Sequence, residues 1–237
     1  AIGNDIVLVG HPDLNSRYKN LLSQFFEAKE IEPLNYTDPD YLISKPFISK
    51  LANISGVLTV DPRLILEASV LEIPGIVPDP DDPNQALFIG DSRSDNALIL
   101  GVEPEQVVND WLIMGRGLDK TNPYSAVIGD SLALTMFDDP QKQNIKVFDE
   151  FFNIVGVCLD PLNNGRVVYM PFETLSKKLG HSGYNLVFLK INSSERSQFL
   201  IEIGDEISKT NLEVLELNNL LGKHVSFLNN IWSPVML

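Results

Sequence analysis

Two periodicities alternate along this chain. Short apolar runs stop at glycine, proline or asparagine, and between them lie stretches whose apolar residues recur every three or four positions, so strands and helices are interleaved. Ile6-Val7-Leu8-Val9 is the first strand, ended by Gly10 and followed by His11-Pro12. Over Ser16–Ala28, the residues Tyr18, Leu21, Leu22, Phe25 and Phe26 fall on one helical face. Pro33, Pro39 and Pro46 make residues 33–46 a loop. A short helix then carries Phe47, Ile48, Leu51 and Ile54 on one side, with Gly56 placed to end it as a left-handed cap. Val57–Val70 reads as one long strand with Asp61-Pro62 as a bulge or edge feature. Pro74–Asn84, with Pro74, Pro78, Pro80 and Pro83 among acidic residues, reads as a turn or exposed loop.

Strands follow at Ala86–Ile89 and Ala97–Val102, joined by Asp91–Asn96. From Trp111 the texture becomes finer. Ala126-Val127-Ile128 is a strand, and Ser131–Phe137 a helix with Leu132, Leu134, Met136 and Phe137 as its apolar residues. Ile145-Lys146-Val147 and Phe151–Leu159 are strands, and Asn163-Asn164-Gly165 has the composition of a hairpin turn before Val167-Val168-Tyr169. Phe172–Leu179 is a helix stopped by Gly180. The last third simplifies to strand Asn185–Ile191, helix Glu195–Ser208 with Phe199, Leu200, Ile203 and Ile207 inward, and strand Leu212–Leu217, a βαβ order. Leu221, Val225, Leu228, Trp232 and Val235 then form one helical seam. That seam suits either a stem continuing toward a membrane or partner, or a helix docked on its own core. No internal repeat is present.

Composition narrows the function classes. The 237 residues carry a formal charge of −14, which disfavours non-specific attraction to nucleic acid or anionic lipid. No apolar run approaches the roughly 18 residues of a membrane span. A single cysteine, Cys158, excludes an intrachain disulfide framework and a cysteine-based zinc site. The absence of an initiator Met and of any signal or transit peptide, with a chain running from Ala1 to Val235-Met236-Leu237, suggests excision from something longer. His11, His181 and His224 supply little material for acid–base or metal chemistry.

The candidate chemistry is weighed against turns and core. Gly90-Asp91-Ser92-Arg93 follows Leu87-Phe88-Ile89, and Gly129-Asp130-Ser131-Leu132 follows Val127-Ile128. Both resemble the nucleophile block of the GDSL esterases, whose serine needs a base and an oxyanion donor. No Asp-x-x-His exists to supply the base, and Val107-Val108-Asn109-Asp110 lacks the glycine of that family's Gly-x-Asn-Asp block. Ser92 and Ser131 are therefore read as turn and cap residues. Asp79, Asp81, Asp82 and Asn84 hint at a calcium loop, but Pro80 and Pro83 break the alternation and no central glycine or closing glutamate follows. Gly10 alone cannot cradle a pyrophosphate, and no Walker A sequence is present. His181 in Gly-His-Ser-Gly reads as an exposed turn residue, and Cys158 as a small core residue. Asn35-Tyr36-Thr37, Asn53-Ile54-Ser55 and Asn192-Ser193-Ser194 fit the glycosylation acceptor pattern, a weak pointer to an outside location.

The order of motifs from Val57 onward is more specific. Ile54-Ser55-Gly56-Val57 enters a long strand, and Ala97–Glu105 runs from a strand into Gly101-Val102-Glu103-Pro104. Gly115-Arg116-Gly117-Leu118 precedes Ala126–Ala133. Phe152-Asn153-Ile154-Val155-Gly156-Val157 and Val168-Tyr169-Met170-Pro171-Phe172-Glu173-Thr174 follow. Taken in order, over about residues 45–237, these resemble the extracytoplasmic core domain of MacB/FtsX-type ABC transporter permeases. The resemblance implies an α/β (α+β) fold: a porter-like split βαβ subdomain from residues 1–108 and 183–237, interrupted by a smaller Sabre-like mixed α/β subdomain over 109–182. It implies that residues 221–235 are a stem toward a membrane span, that a cytoplasmic ATPase and a second permease copy are partners, and that cytoplasmic ATP hydrolysis is coupled to export or mechanotransmission outside the membrane. It also implies no catalytic, cofactor-binding or metal-binding residues. The alternatives are a GDSL-like serine hydrolase using Ser92 or Ser131, and a free-standing extracellular ligand-binding or sensor domain, which calls for an apolar pocket with converging polar groups.

Overall fold

The computed structural model describes residues 6–9, 42–82, 84–104, 111–160, 162–208, 210 and 212–216. The helix expected over Ser16–Ala28, the first glycosylation triplet, His11, His224 and the seam at 221–235 lie outside the described residues. Two compact units are present: one draws on residues within 1–62 and from Gly183 onward, and the other is Arg63–Ser182.

In the first unit, β1 (Ile6–Val9) is hydrogen-bonded antiparallel to β11 (Leu186–Ile191) on one side and to β12 (Glu213–Glu216) on the other. The βαβ order of the last third is thus realised with a third strand inserted between its two parallel strands. Helix α1 (Lys45–Leu51) begins at Ser44, whose hydroxyl accepts the Phe47 N–H, with Pro46 in the first turn. It ends at Ala52, and Gly56 sits beyond it, at φ +83° in the turn that leads into β2 (Val57–Ile73). Gly56 was expected to end the helix; instead the chain spends four residues in turns before reaching the strand. The Gly56 carbonyl then accepts the Asn192 N–H at 2.7 Å. Ile43 and Tyr184 exchange two backbone bonds of 2.6 and 2.9 Å, which fasten the entering segment to the returning one. Helix α4 (Arg196–Ile207) buries Phe199 and Ile203, and Glu206 on its outer side meets Lys50 of α1 at 2.5 Å.

The second unit is built on a circuit of strands. The later part of β2 pairs antiparallel with β5 (Ser94–Val102), and β5 pairs parallel with β10 (Val167–Pro171). Strand β10 pairs antiparallel with β7 (Ser125–Gly129), which pairs parallel with β9 (Glu150–Cys158). Strand β8 (Asn144–Val147) pairs with the first residues of β9 and with Val70–Ile73 of β2, so the pairing closes on itself. Closure removes free edges among these six strands. Within this circuit β9 pairs with both β8 and β7, with a register shift opposite Ala126/Val127. Strand β6 (Leu112–Gly115) is an outer addition on β9.

The central strands are buried on both faces. Ala97–Val102, Ser125–Gly129 and Val167–Pro171 are buried throughout, which is why each reads as a continuous apolar run instead of an alternating one. One cover is α3 (Phe172–Leu179), whose Phe172 and Leu175 lie against Gly101. The other is α2 (Asp130–Met136), which buries Leu132, Ala133 and Met136. Leu134, two positions from Leu132, lies on the far face of the helix and is 83% exposed.

Two turns differ from expectation. Asn164 and Gly165 do take the positive φ values of 51° and 76° that their composition favours, but in a 3₁₀ turn over Leu162–Gly165. The strands it joins, β9 and β10, are not neighbours, because β7 lies between them. The proline-rich stretch is also not loop throughout. Gly75–Pro78 is strand β3, paired antiparallel with β4 (Ala86–Ile89) in a two-stranded ribbon of its own. Pro78 is tolerated there because it ends an outer strand, where a missing N–H costs no ladder bond.

Candidate functional site

The first Gly-Asp-Ser block lies where the β3–β4 ribbon returns to the main sheet. Its residues converge on Glu72, whose side chain is fully buried near the end of β2. One Glu72 oxygen, Oε2, accepts the backbone N–H groups of Asp91 at 3.1 Å and Arg93 at 3.0 Å. The other, Oε1, accepts from the Gln143 amide at 2.5 Å. Gln143 is itself buried and uses its carbonyl to accept the N–H groups of Asp138 and Asp139, both at 2.9 Å. The Asp138 carboxylate closes the ring: it accepts the Gly90 N–H at 3.1 Å and the Arg93 guanidinium at 2.9 Å. Arg93 also reaches Asp91 at 2.6 Å. These hydrogen-bonded carboxylates raise the Arg93 pKa above its ordinary value and keep it charged.

A buried carboxylate is tolerated only when its lone pairs are satisfied and a cation is near. Here three donors and the Arg93 side chain, 4.0 Å from Oε2, meet that condition. Gly90 is required because its φ is +99° and a β-carbon would fall 2.2 Å from the Gln143 amide nitrogen. Chemically the cluster is a clamp: it ties the root of the ribbon to the turn at Pro140–Lys142, leaving Ser92 exposed at φ +57°. Pattern reading passed over Glu72 and Gln143, although an acid between Leu71 and Ile73 at the end of an apolar strand was the available signal.

The second block serves packing. Gly129 caps α2, and any β-carbon there would fall 2.1 Å from the Gly165 carbonyl oxygen. The Ser131 carbonyl accepts the Thr135 hydroxyl, one turn along the same helix. His181 is partly exposed and takes part in the end of α3: its N–H bonds the Ser176 carbonyl at 3.1 Å, while Gly180 turns at φ +71°. Ser92, Ser131 and His181 are not brought together.

The acidic residues of the ribbon tip spend their oxygens locally. Asp79 accepts the Asp81 N–H at 2.8 Å, and Asp82 accepts the Asn84 N–H at 3.0 Å and the Gln85 amide at 2.9 Å. The Asn84 and Gln85 hydrogen bonds hold the exposed Asp82 carboxyl below its ordinary range. Among the described residues no group of three or more His, Cys, Asp or Glu converges as a metal site.

Further polar features lie on β2, β9 and β10 and the residues just after β9. The buried Tyr169 hydroxyl donates to Asp160, and the buried Arg63 guanidinium lies 5.9 Å from the Tyr169 ring centre. Burial raises the Tyr169 pKa well above its ordinary value. Cys158, also buried, is pushed up to about 12, by burial first and by the charges of Asp160 and Asp130 after it. Glu67 on β2 has an oxygen that is both buried and without a hydrogen bond, and desolvation raises its pKa. An open cavity of about 440 Å³ lies against α3, with Tyr124, Phe148 and Phe152 on its walls and Lys177, Lys178 and Glu150 among its polar residues.

Comparison with known proteins adds a family. Residues 25–204 match the family model described as MacB-like periplasmic core domain. Among solved structures, the chain is similar to the periplasmic region of MacB from Actinobacillus actinomycetemcomitans, with 14% identity, 94% of this chain and 92% of that one covered, and a TM-score of 0.58. It is also similar to the extracellular domain of the noncanonic ABC-type transporter YknZ from Gram-positive bacteria, with 14% identity, 76% and 91% covered, and a TM-score of 0.55. No curated protein sequence matches. Among the described residues no helix is long and apolar enough to cross a membrane.

Proposed function

Because the chain belongs to the MacB-like periplasmic core domain family, and is the extracytoplasmic domain of an ABC transporter permease, we propose that it works as a non-catalytic coupling module. In this reading a cytoplasmic ATPase drives motion in flanking membrane helices, and the domain carries that motion outward to export a substrate or to act on an envelope partner. One observation supports it above the others. Strand β1, from the start of the chain, is hydrogen-bonded between β11 and β12, from its last third, so segments adjoining both ends of the domain form one body. Two membrane stems feeding that body would move it as a unit.

In this reading residues 1–108 and 183–237 make the porter-like part and residues 109–182 the Sabre-like insertion, so the second unit holds the insertion together with the porter-like residues from Arg63 to 108. The permease works as a pair, with the second copy supplied through the membrane part. Ser92 and Ser131 are structural in this reading, because the Glu72 clamp and the α2 cap account for both Gly-Asp-Ser blocks. The test is a parent permease, reconstituted with its ATPase, from which residues 6–216 are deleted and replaced by a short flexible linker. Loss of export with basal ATP hydrolysis retained supports coupling; export that continues undiminished overturns it.

A further inference from the structure

The β3–β4 ribbon turns an apolar face to solvent. Its register pairs Ile76 with Phe88 and Pro78 with Ala86, so these four side chains share one face. All four are exposed, Ile76 at 62% and Phe88 at 78%. On the other face Leu87 is 43% exposed. Isoleucine opposite phenylalanine is a pairing normally used to fill a core, and a contiguous exposed apolar patch on an otherwise acidic protein marks an interaction surface.

The charge around the patch selects the partner. From Pro74 to Asp91 the sequence contains no Lys or Arg, and Asp79, Asp81 and Asp82 crowd the tip. Local hydrogen bonds hold Asp82 ionised. An anionic membrane surface would repel this tip, and a second copy of a chain with net charge −14 is a poor electrostatic match. A cationic surface fits. The ribbon also meets a requirement of tight docking, since its root is pre-organised by Glu72, Gln143 and Asp138 instead of swinging on a free hinge.

We propose that the β3–β4 ribbon is a docking arm for a partner protein presenting an apolar furrow flanked by Lys or Arg. The inference goes beyond the coupling role and stands without it. It is tested on the ¹⁵N-labelled 237-residue chain, titrated with three synthetic peptides: alternating lysine–isoleucine, alternating glutamate–isoleucine and alternating lysine–serine. The expected result is saturable shift changes confined to residues 75–89 with the lysine–isoleucine peptide alone, weakened by added salt. Ile76→Ser with Phe88→Ser should weaken this binding roughly tenfold, and Asp79→Asn with Asp81→Asn and Asp82→Asn should remove most of its salt dependence. The first set changes exposed side chains and the second keeps a side-chain carbonyl acceptor at each half-buried or exposed aspartate, and unchanged circular dichroism confirms that both fold. Shifts mapping elsewhere, equal binding of the lysine–serine peptide, or binding indifferent to Phe88 would overturn the proposal. So would Phe88-dependent sedimentation with phosphatidylglycerol vesicles, or Phe88-dependent dimerisation of the chain.

Discussion

Replacing Glu72 with alanine tests the clamp directly. The change strips the acceptor from the Asp91 and Arg93 N–H groups, which are part-buried, and from the Gln143 amide, which is buried. Each orphaned donor costs about 1–3 kcal/mol, partly relieved where water can enter the space left behind. Breaking a buried charge cluster by removing one partner costs about 3–5 kcal/mol, so the expected loss is in that range. For a chain of this size each kcal/mol shifts Tm by about 2–4 °C, which gives a fall of roughly 6–20 °C. Glu72→Gln keeps the shape and one acceptor but turns an amide N–H₂ toward a donor, at a cost of about 1–3 kcal/mol. Urea unfolding followed by far-UV circular dichroism measures the global effect. Amide exchange over residues 75–89 measures the local one, and protection there should fall more than in the β7 strand. An alanine variant within about 0.5 kcal/mol of the parent, or one in which ribbon exchange is unchanged, would refute the clamp.

Three other outcomes follow from the same geometry. Ser92→Gly should leave the chain unchanged or up to about 1.5 kcal/mol more stable, because glycine relieves the roughly 1–2 kcal/mol cost of φ +57° on this exposed turn while adding about 0.5–1 kcal/mol of unfolded-chain entropy; a destabilised variant would show a structural or chemical role for the hydroxyl. Glu67→Gln should raise stability at neutral pH, since burial disfavours the carboxylate and one oxygen has no hydrogen bond. The folded pKa lies above the ordinary value of 4.5, so the acid form favours folding; the gain should vanish below that pH, and a gain that persists there would contradict the cause. Cys158 should react slowly with a disulfide reagent at pH 8 and fast in denaturant. Its folded pKa, about 12, exceeds the ordinary 9.0, so its contribution to stability is whole below pH 9 and is lost as pH climbs toward 12. Rapid labelling of the native chain would contradict its burial.

Strand and helix positions were legible where local pattern and tertiary burial agree. Phe172–Leu179 with Gly180 behind it reads as a helix with a left-handed cap, and it is one. The continuous runs at Ala97–Val102 and Val167–Tyr169 read as strands because burial on both faces selects apolar side chains at every position. The partners of those strands were not legible. Asn163-Asn164-Gly165 carries hairpin chemistry, yet its flanking strands are separated by β7, since turn composition fixes local φ and not what a strand pairs with. The closure of six strands through β8 depends on its pairing with β2, distant in sequence, which no window of residues reports. The ribbon at Gly75–Pro78 was hidden by its prolines, which score against strands even where an outer edge tolerates them. Gly90-Asp91-Ser92 attracted a catalytic reading because its glycine and acid suit a nucleophile turn. The clamp uses the same residues for their backbone N–H groups, and its buried acceptor, Glu72, stands well before them in the chain.

The central claim is that this extracytoplasmic domain moves when ATP is turned over on the other side of the membrane. Leu134 is exposed on the outer face of α2 and can carry a spin label as Leu134→Cys, with Cys158 buried and slow to react. In the parent permease, reconstituted in nanodiscs with its ATPase, pulsed electron resonance would report the distance between labels on the two copies. The account predicts two distance populations, interchanged when nucleotide is trapped on the ATPase. A single distance indifferent to nucleotide, or no inter-copy distance at all, would contradict it.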